Sequence, residues 1–545
     1  MSADVNEIAD GGKKSAATML VELALQHYSL HTTETGEAFA VPHEGANHVA
    51  RRIRGGRQSM RAELAKLFYS TTGKTAPQQG LADAVLTLEG MAQDADPEIL
   101  HLRVAESHEA LWVDMGDVAG HVIKITAGTF AVVEHAPVLF HRTALTVAMP
   151  TPKADGDIAE LWEFLNVDDA DKPLLVAALV ASFLPDIPHP IPTMTGEQGT
   201  GKSTTTRMLV DLIDPSSVPL RKPPRDAEGW VTAASGSWCV AVDNLSTVQD
   251  WFSDSLCRAV TGDGDVRRAL YTDGGLAVFA FRRQVMLTGI DFAGLRGDLA
   301  ERLVLIQLNR IDDRHRKDER ELDARWREAR PRIFGALLGI VARAYQVFPS
   351  LRLDEKPRMA DFARVLKAVD QVMGTDGYGR YMSQAREIAA DTLTASSFVQ
   401  LLMESVTDFE GTAAELLDQV APDESGWRAP RDWPRNPRAV TTVLKRDAPA
   451  LRKNGWTVDD LGANRDHATI WRVTHPEIAG ISTSPTSHSS QDATYASDES
   501  NVYGQSQDAL AGAVGQKQAG ATCPKHGTPT YQGLCGRCAA EGVTV

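Results

Sequence analysis

Gly196-Glu197-Gln198-Gly199-Thr200-Gly201-Lys202-Ser203 fills the pattern G-x-x-x-x-G-K-[ST] at every fixed position, and its reading decides the fold. Glycines at 196, 199 and 201 let the backbone turn successive N–H groups inward as a nest for an anion. Lys202 would set its ammonium against the β- and γ-phosphates, and the Ser203 hydroxyl would ligate Mg2+. Residues 191–195 before the loop form a short strand-like run. Residues 204–213 after it place Met208, Leu209, Leu212 and Ile213 at helical spacing. Strand, loop and helix together put phosphates at a helix N-terminus.

The neighbouring segments supply what a bound nucleotide needs. The apolar run Trp238-Cys239-Val240-Ala241-Val242 ends in Asp243-Asn244. A carboxylate at a strand's C-terminal tip can hold the metal's water shell beside Ser203, so Asp243 is the second Mg2+ candidate. A third strand over residues 284–288 ends in Thr288, followed by Gly289. That position suits a group that senses the γ-phosphate or orients the attacking water. Downstream, Arg296-Gly297-Asp298-Leu299-Ala300-Glu301-Arg302 leads into the strand-like LVLIQL. Arg302 could reach the γ-phosphate of a neighbouring subunit; its plainer reading is a surface ion pair with Glu301 or Asp298. Between the second and third strands, Asp273-Gly274 joins β-rich arms as a hairpin over residues 267–281, with Arg267 and Arg268 on its rim.

In this order, P-loop, Asp strand, basic hairpin, polar-tipped strand and trailing arginine resemble the superfamily 3 helicases of the AAA+ class. The stretch from GEQGTGKS through LYTDGG to RGDLAERL is similar to the ATPase module of phage- and plasmid-type primase-helicases from actinobacteria and their mobile elements. The resemblance covers roughly residues 100–475 and is sharpest over 190–310. It implies ATP binding by Gly196, Glu197, Gln198, Gly199, Thr200, Gly201, Lys202, Ser203 and Thr204. It further implies Mg2+ at Ser203 and Asp243, sensing at Thr288, a trans-acting finger at Arg302, and a ring of subunits, a hexamer. Two positions depart from the pattern. Asn244 stands where many AAA+ ATPases carry Glu, which leaves the general base open, and Thr288 stands where similar helicases carry Asn. No acidic triad on strands is evident in the N-terminal region, so no primase centre is assigned.

Around this core the sequence divides into further parts. Residues 1–155 read as an N-terminal α+β domain, with an amphipathic helix over 16–28 and β-like alternation over 99–147. Arg51, Arg52, Arg54, Arg57 and Arg61 gather around Gly55-Gly56 and read as a solvated face; Asp114 and Asp117 read as turn residues. Residues 156–310 hold the P-loop core with the helices before it, and 311–395 a helical lid. Residues 396–475 give three helices and a hairpin, which resemble a winged helix; Thr412-Ala413-Ala414-Glu415 is a capping box. Its third helix and the loop before it carry Arg435, Arg438, Lys445 and Arg446, the footprint expected for DNA phosphates. Residues 476–522 are a flexible tether. In the tail, 523–545, Cys523-x-x-His526 and Cys535-x-x-Cys538 have the spacing of a tetrahedral Zn2+ site.

Composition bounds the function. A net charge of −16 excludes a surface that is basic all over, so contact with DNA must be local. The most apolar stretch, residues 174–184, is about half of the ~20 residues a membrane span needs and stops at Pro185. No secretory signal is apparent at the N-terminus, which places the protein in the cytoplasm. Five cysteines over 545 residues make no disulfide framework, and Cys239 and Cys257 read as buried apolar residues. The expected fold class is α/β: an AAA+-like P-loop NTPase core with N-terminal α+β domain, helical lid, winged-helix domain and small zinc module. The expected activity is ATP-driven DNA translocation or unwinding in mobile-element replication. An ATP-gated initiator or regulator that hydrolyses slowly is the alternative, and a small-molecule phosphotransferase lacks an acceptor pocket.

Overall fold

The computed structural model describes residues 14–55, 59–268, 276–289, 297–311, 318–394, 396–423, 426–430, 432–465 and 468–476, with backbone alone for 264–268, 276–280 and 389–394. The chain divides into two compact units, Met1–Thr483 and Ser484–Val545, and every described residue lies in the first. The tether and the zinc ligands Cys523, His526, Cys535 and Cys538 lie outside the described residues. Among the described residues no group of three or more His, Cys, Asp or Glu is placed to hold a metal.

The N-terminal part opens with α1 (Ala16–His27), capped by Ser15, whose hydroxyl accepts from the Thr18 N–H. Then come β1 (Tyr28–Thr32), β2 (Ala38–Pro42), β3 (Val49–Arg52), α2 (Met60–Thr72), α3 (Gln78–Ala92) and β4 (Leu100–His101). A meander of β5 (Val104–Ser107), β6 (Ala110–Asp114), β7 (Val122–Thr126) and β8 (Thr129–Val133) forms an antiparallel sheet of its own. After it, β9 (Leu139–His141) inserts between β3 and β4, parallel to both, to complete the order β1-β2-β3-β9-β4. The alternating segments over 99–147 thus make the small sheet β5-β6-β7-β8, while the short β4 and β9 on either side of it belong to the first sheet. Alternation fixes which face of a strand is apolar and leaves open which neighbour supplies its hydrogen bonds. Leu20, Leu64, Phe68 and Leu88 on α1 to α3 pack with Tyr28 and Ala40 as the core of this part.

α4 (Lys172–Ala181) is apolar all round, and its residues from Leu174 onward are buried. The chain then enters the nucleotide core: β10 (Ile191–Thr195), α5 (Lys202–Ile213), β11 (Leu220–Arg221), α6 (Ala227–Ser235), β12 (Cys239–Val242) and α7 (Asp250–Thr261). β13 (Gly264–Arg268) and β14 (Leu276–Ala280) pair antiparallel, Gly264 opposite Ala280 and Arg268 opposite Leu276, so the expected hairpin is present in the backbone. Its tip, 269–275, lies outside the described residues. β15 (Gln284–Thr288), α8 (Gly297–Ala300) and β16 (Leu303–Gln307) follow. Five parallel strands stand in the order β11-β12-β15-β10-β16, with β10 pairing β15 on one side and β16 on the other. Cys239 and Cys257 are buried free thiols, as expected.

Three long helices, α9 (Glu319–Val347), α10 (Ala360–Met373) and α11 (Gly377–Thr394), pack around α4. α9 also lies against β7 and β8, where the Gly128 N–H donates to the Ala342 carbonyl at 2.9 Å. One hydrophobic cluster thus runs from Leu111 and Ile125 through Leu175 and Val180 to Phe334 and Leu366, across the junctions expected near 155 and 310. Residues 150–156 are strapped onto α9: the Lys153 N–H donates to the Pro331 carbonyl at 2.9 Å. Gly335 permits that approach, because a Cβ there would collide with the Lys153 carbonyl. By length and composition α9 with the turn after it could cross a bilayer; its Phe334, Leu337, Leu338 and Val341 are buried in this cluster instead.

The last described part contains α12 (Ser397–Ser405), β17 (Asp408–Thr412), α13 (Ala413–Val420), α14 (Pro437–Lys453), β18 (Thr457–Ala463) and β19 (Thr469–Thr474). Phe398, Leu416, Trp433, Leu444 and Trp471 form its own core. The capping box of Thr412 and Glu415 is present. The sequence reading missed β17, which joins the hairpin in the order β17-β19-β18. Its segment DFEGT buries one side chain, Phe409, and so carries almost no apolar signal.

A buried polar staple joins the N-terminal meander to the nucleotide core. Arg103 is 1% exposed and donates to Asp214 at 2.8 Å and to the carbonyls of Asp114, Val147 and Pro215. The other Asp214 oxygen accepts the N–H groups of Trp238 and Cys239 at 2.8 and 3.0 Å. Arg103→Met is expected to cost about 3–5 kcal/mol, because it strands a buried carboxylate charge. Urea unfolding measures this, and a loss below about 1 kcal/mol would count against the staple.

Candidate active site

The phosphate loop takes the form its glycines allow. Gly196, Gly199 and Gly201 have φ of 137°, 84° and 82°. At Gly196 a Cβ would stand 2.8 Å from the Leu308 carbonyl oxygen and 3.0 Å from the Thr200 hydroxyl, so this position has no room for a side chain. Gly201 caps α5, whose first N–H groups point at the loop's interior with the positive end of the helix dipole behind them. Glu197, Gln198 and Gly199 are exposed at the tip, and Thr200 is buried with its hydroxyl donating to the Glu197 carbonyl at 2.9 Å. Lys202 Nζ donates to the carbonyls of Gly196 and Glu197 at 2.7 and 2.8 Å, across the mouth of the nest. Thr204, partly buried, continues the first turn of α5.

Two strand tips and the first turn of α5 bring the remaining groups together. The Ser203 hydroxyl donates to Asp243 Oδ1 at 2.9 Å, and the Thr288 hydroxyl donates to the same oxygen at 2.5 Å. Thr288 Oγ1 also accepts the Asn244 N–H at 2.9 Å, and the Leu245 N–H donates to the Thr288 carbonyl at 2.9 Å. Thr288 is buried, so in this conformation it orients the Asp243 carboxylate and is not itself presented to a phosphate. Asn244 is exposed with φ of 57°, a left-handed conformation that short polar side chains tolerate. Gly289 keeps the tips close: a Cβ there would sit 3.2 Å from Asn244 Cα. Ser203 and Asp243 are oxygen donors on one side of the loop, the donor chemistry that Mg2+ takes.

A residue without any local signal completes the loop. Asn166 donates from Nδ2 to the Thr200 carbonyl at 3.0 Å and to the Asn309 carbonyl, tying the P-loop to the chain beyond β16. It lies 34 positions before Thr200, and nothing in its neighbourhood marks it. α9 is fastened to the loop's helix as well: Arg207 pairs with Asp323 at 3.1 Å, and Trp326 and Arg330 both reach the Asp211 carboxylate.

Arg302 makes the ion pair with Asp298 that its plainer reading named, and is more buried than that reading expected. Expected either as an outward finger or in a surface pair, it is 8% exposed and bound to Asp298 at 2.7 Å, with its Nε buried and without a hydrogen-bond partner. Burial alone would raise the Asp298 carboxyl; hydrogen bonds from Arg302 and Cys257 and the charges of Arg302 and Arg358 hold it below the usual carboxylate range. The same contacts hold Arg302 against Asp298. Asp114 and Asp117 also separate. Asp117 is the turn residue expected, accepting from the Gly120 and His121 N–H groups, whereas Asp114 is fully buried and bound twice by Arg142.

On the winged helix, Arg435 and Arg438 are exposed at the start of α14 and form no ion pair among the described residues. Lys445 is exposed and lies 3.9 Å from Asp460. Arg446 is spent within its helix, bound to Asp447 through two contacts of 2.8 Å. Arg267 and Arg268 lie on β13, where the backbone alone is described.

The fold and the site together are those of an α/β protein with a five-stranded parallel sheet and a glycine-rich loop of P-loop sequence, and the family comparisons point to replication. The model for the actinomycete integrative conjugative element replication protein matches residues 158–391, and the model for the RepA C-terminal domain of the same elements matches residues 395–489. Over these two stretches the chain is similar to the replication proteins of actinomycete integrative conjugative elements. No curated protein matches the chain. Among solved structures, the chain is similar to an SCCmec type IV Cch protein described as an active helicase, at 12% identity, TM-score 0.41, over 84% of this chain and 94% of that one. It is similar to the apo C-terminal region of NrS-1, at 10% identity and TM-score 0.36, over 85% and 100% of the two chains. It is also similar to a JCV helicase, at 13% identity and TM-score 0.23, over 43% and 64%. At such TM-scores these likenesses carry no argument about activity.

Thr288→Val keeps the shape and removes the hydroxyl that holds Asp243. For the nucleotide hydrolysis proposed below, the rate is expected to fall about 10- to 100-fold while nucleotide affinity is nearly kept. Steady-state turnover beside titration of a fluorescent nucleotide checks this; equal loss in both would contradict the orienting role.

Proposed function

We propose that this replication protein is an ATP-dependent DNA helicase or translocase. The observation that carries the reading is the convergence of the Ser203 and Thr288 hydroxyls on one oxygen of Asp243, at the N-terminal end of the P-loop helix. The order of the parallel strands supports it, because β10 with its loop stands next to β15 and one strand from β12. That order is the one AAA+ ATPases use to set a metal-binding acid and a polar strand tip beside the phosphates.

In this mechanism the loop N–H groups and the start of α5 hold the β- and γ-phosphates of ATP. Lys202 exchanges the Gly196 and Glu197 carbonyls for phosphate oxygens. Ser203 and Asp243 would hold Mg2+, which when bound neutralises charge between the β- and γ-phosphates. Thr288 keeps Asp243 turned toward Ser203. The β13–β14 hairpin would grip DNA, with Arg435, Arg438 and Lys445 of the winged helix making further phosphate contacts. The working assembly is a homo-oligomeric ring, a hexamer, in the cytoplasm. Arg302 would serve a neighbour's site there after leaving Asp298. The zinc tail would recruit DNA or a partner protein.

Two observations favour a second reading, an ATP-gated initiator or regulator with slow hydrolysis. Asn244 provides no carboxylate beside Asp243, and Arg302 is held against Asp298. Steady-state ATPase activity with and without single-stranded DNA separates the readings, with Lys202→Ala beside the wild type. The motor predicts turnover that DNA stimulates about 10-fold or more and that the substitution abolishes. Slow turnover indifferent to DNA favours the initiator, and activity that survives Lys202→Ala would remove the nucleotide reading altogether.

A further inference from the structure

The basic residues of α14 are largely answered by acids within the chain. Arg446 is bound by Asp447, Arg452 lies 3.8 Å from Asp459, and Lys445 lies 3.9 Å from Asp460, all local to the winged helix. Lys453 differs. Its ammonium lies 2.5 Å from Oε1 of Glu301, which belongs to the nucleotide core and directly precedes Arg302. The C-terminal half of α14 rests on α8 and α11. The contact encloses a cavity of about 300 Å3 lined by Ala300, Leu303, Tyr381, Pro449 and Ala450. Arg358, from the segment leading into α10, binds Asp298 and lies 3.6 Å from Glu301. The turn from Asp298 to Glu301 therefore gathers cations from three places: its own Arg302, the lid's Arg358 and the winged helix's Lys453.

A helix that holds DNA offers its ammonium and guanidinium groups to phosphate oxygens. Glu301 gives Lys453 the same charge-assisted contact a phosphate would give. It also puts negative charge where approaching DNA would bring more. We propose that the Asp298–Glu301 turn is an intramolecular stand-in for DNA: the winged helix docked on it is held off nucleic acid, and DNA and the nucleotide core compete for the C-terminal half of α14. This rests on the reading of the winged helix as a DNA-binding module. Thr288 ends β15, and α8 with Glu301 and Arg302 follows in the chain, so DNA that captures Lys453 unloads the turn that holds Arg302.

The test alters the core side of the contact and leaves the DNA-binding module intact. Glu301→Gln is compared with the wild type for binding a short fluorescent DNA duplex, by anisotropy at about 0.1 M salt, where exposed charges still interact across a few ångströms. Removing a partly exposed ion pair shifts such a competition by about 2- to 5-fold, so Glu301→Gln is expected to bind DNA that much more tightly. Hydrogen exchange without DNA or nucleotide gives the second readout. Glu301→Lys should speed exchange in the C-terminal half of α14, and Glu301→Lys combined with Lys453→Glu should restore the wild-type rate. Unchanged DNA affinity in Glu301→Gln overturns the proposal, and so does a charge swap that exchanges as fast as Glu301→Lys alone. Duplex binding unaffected by Arg435→Ala with Arg438→Ala would instead remove the DNA-binding reading of the winged helix. The exchange comparison, made without DNA, still decides whether Glu301 and Lys453 hold the two parts together.

Discussion

The carboxylate of Asp214 carries more of this architecture than any other single group. It accepts the first N–H groups of the strand that ends in Asp243 and neutralises the fully buried Arg103 of the N-terminal part, while the backbone N–H of the same residue closes the C-terminal end of the P-loop helix. A charge so buried persists because every lone pair in use has a donor and the opposite charge is in contact. One end of α5 is thereby pinned to the base of β12, while its other end presents Lys202 and Ser203 to the tip where Asp243 waits. The separation of the two phosphate-site oxygens is set by this pair of attachments and by the hydroxyl of Thr288.

The loop conformation and the grouping of Ser203, Asp243 and Thr288 were legible in the sequence because their determinants are local. Three glycines, a lysine and a serine at fixed spacing specify the nest, and apolar runs ending in Asp243 and Thr288 specify strands with polar tips. The hairpin over residues 264–280 and the capping box at Thr412 were legible for the same reason. Contacts made across long separations were not. Asn166, which ties the P-loop down, the insertion of β9 between β3 and β4, and the packing of α9 on both the N-terminal meander and α4 have no signature in any short window. Arg302 shows the limit most clearly. Its spacing from Asp298 offered an ion pair, but the burial that makes the pair internal comes from α7 and from the segment before α10.

The division into parts also changes meaning in three dimensions. Composition breaks near residues 155 and 310 suggested boundaries, yet a continuous apolar cluster crosses both. α9, packed on the meander and on α4, is joined to the P-loop helix through Arg207, Trp326 and Arg330. The winged helix keeps a core of its own and meets the rest at α8 and α11. A domain with a separate core and a charged contact is the part of such a molecule best suited to change position.

The central claim is that Ser203 and Asp243 form one metal site completed by the phosphates of a nucleotide. Titration of Mn2+ followed by electron paramagnetic resonance, with and without ATP, tests it most directly. The account predicts an ATP-dependent Mn2+ signal in the wild type that is weakened about 10-fold or more in Ser203→Ala and Asp243→Asn. Mn2+ binding that ATP does not strengthen, or that both substitutions leave unchanged, would contradict it.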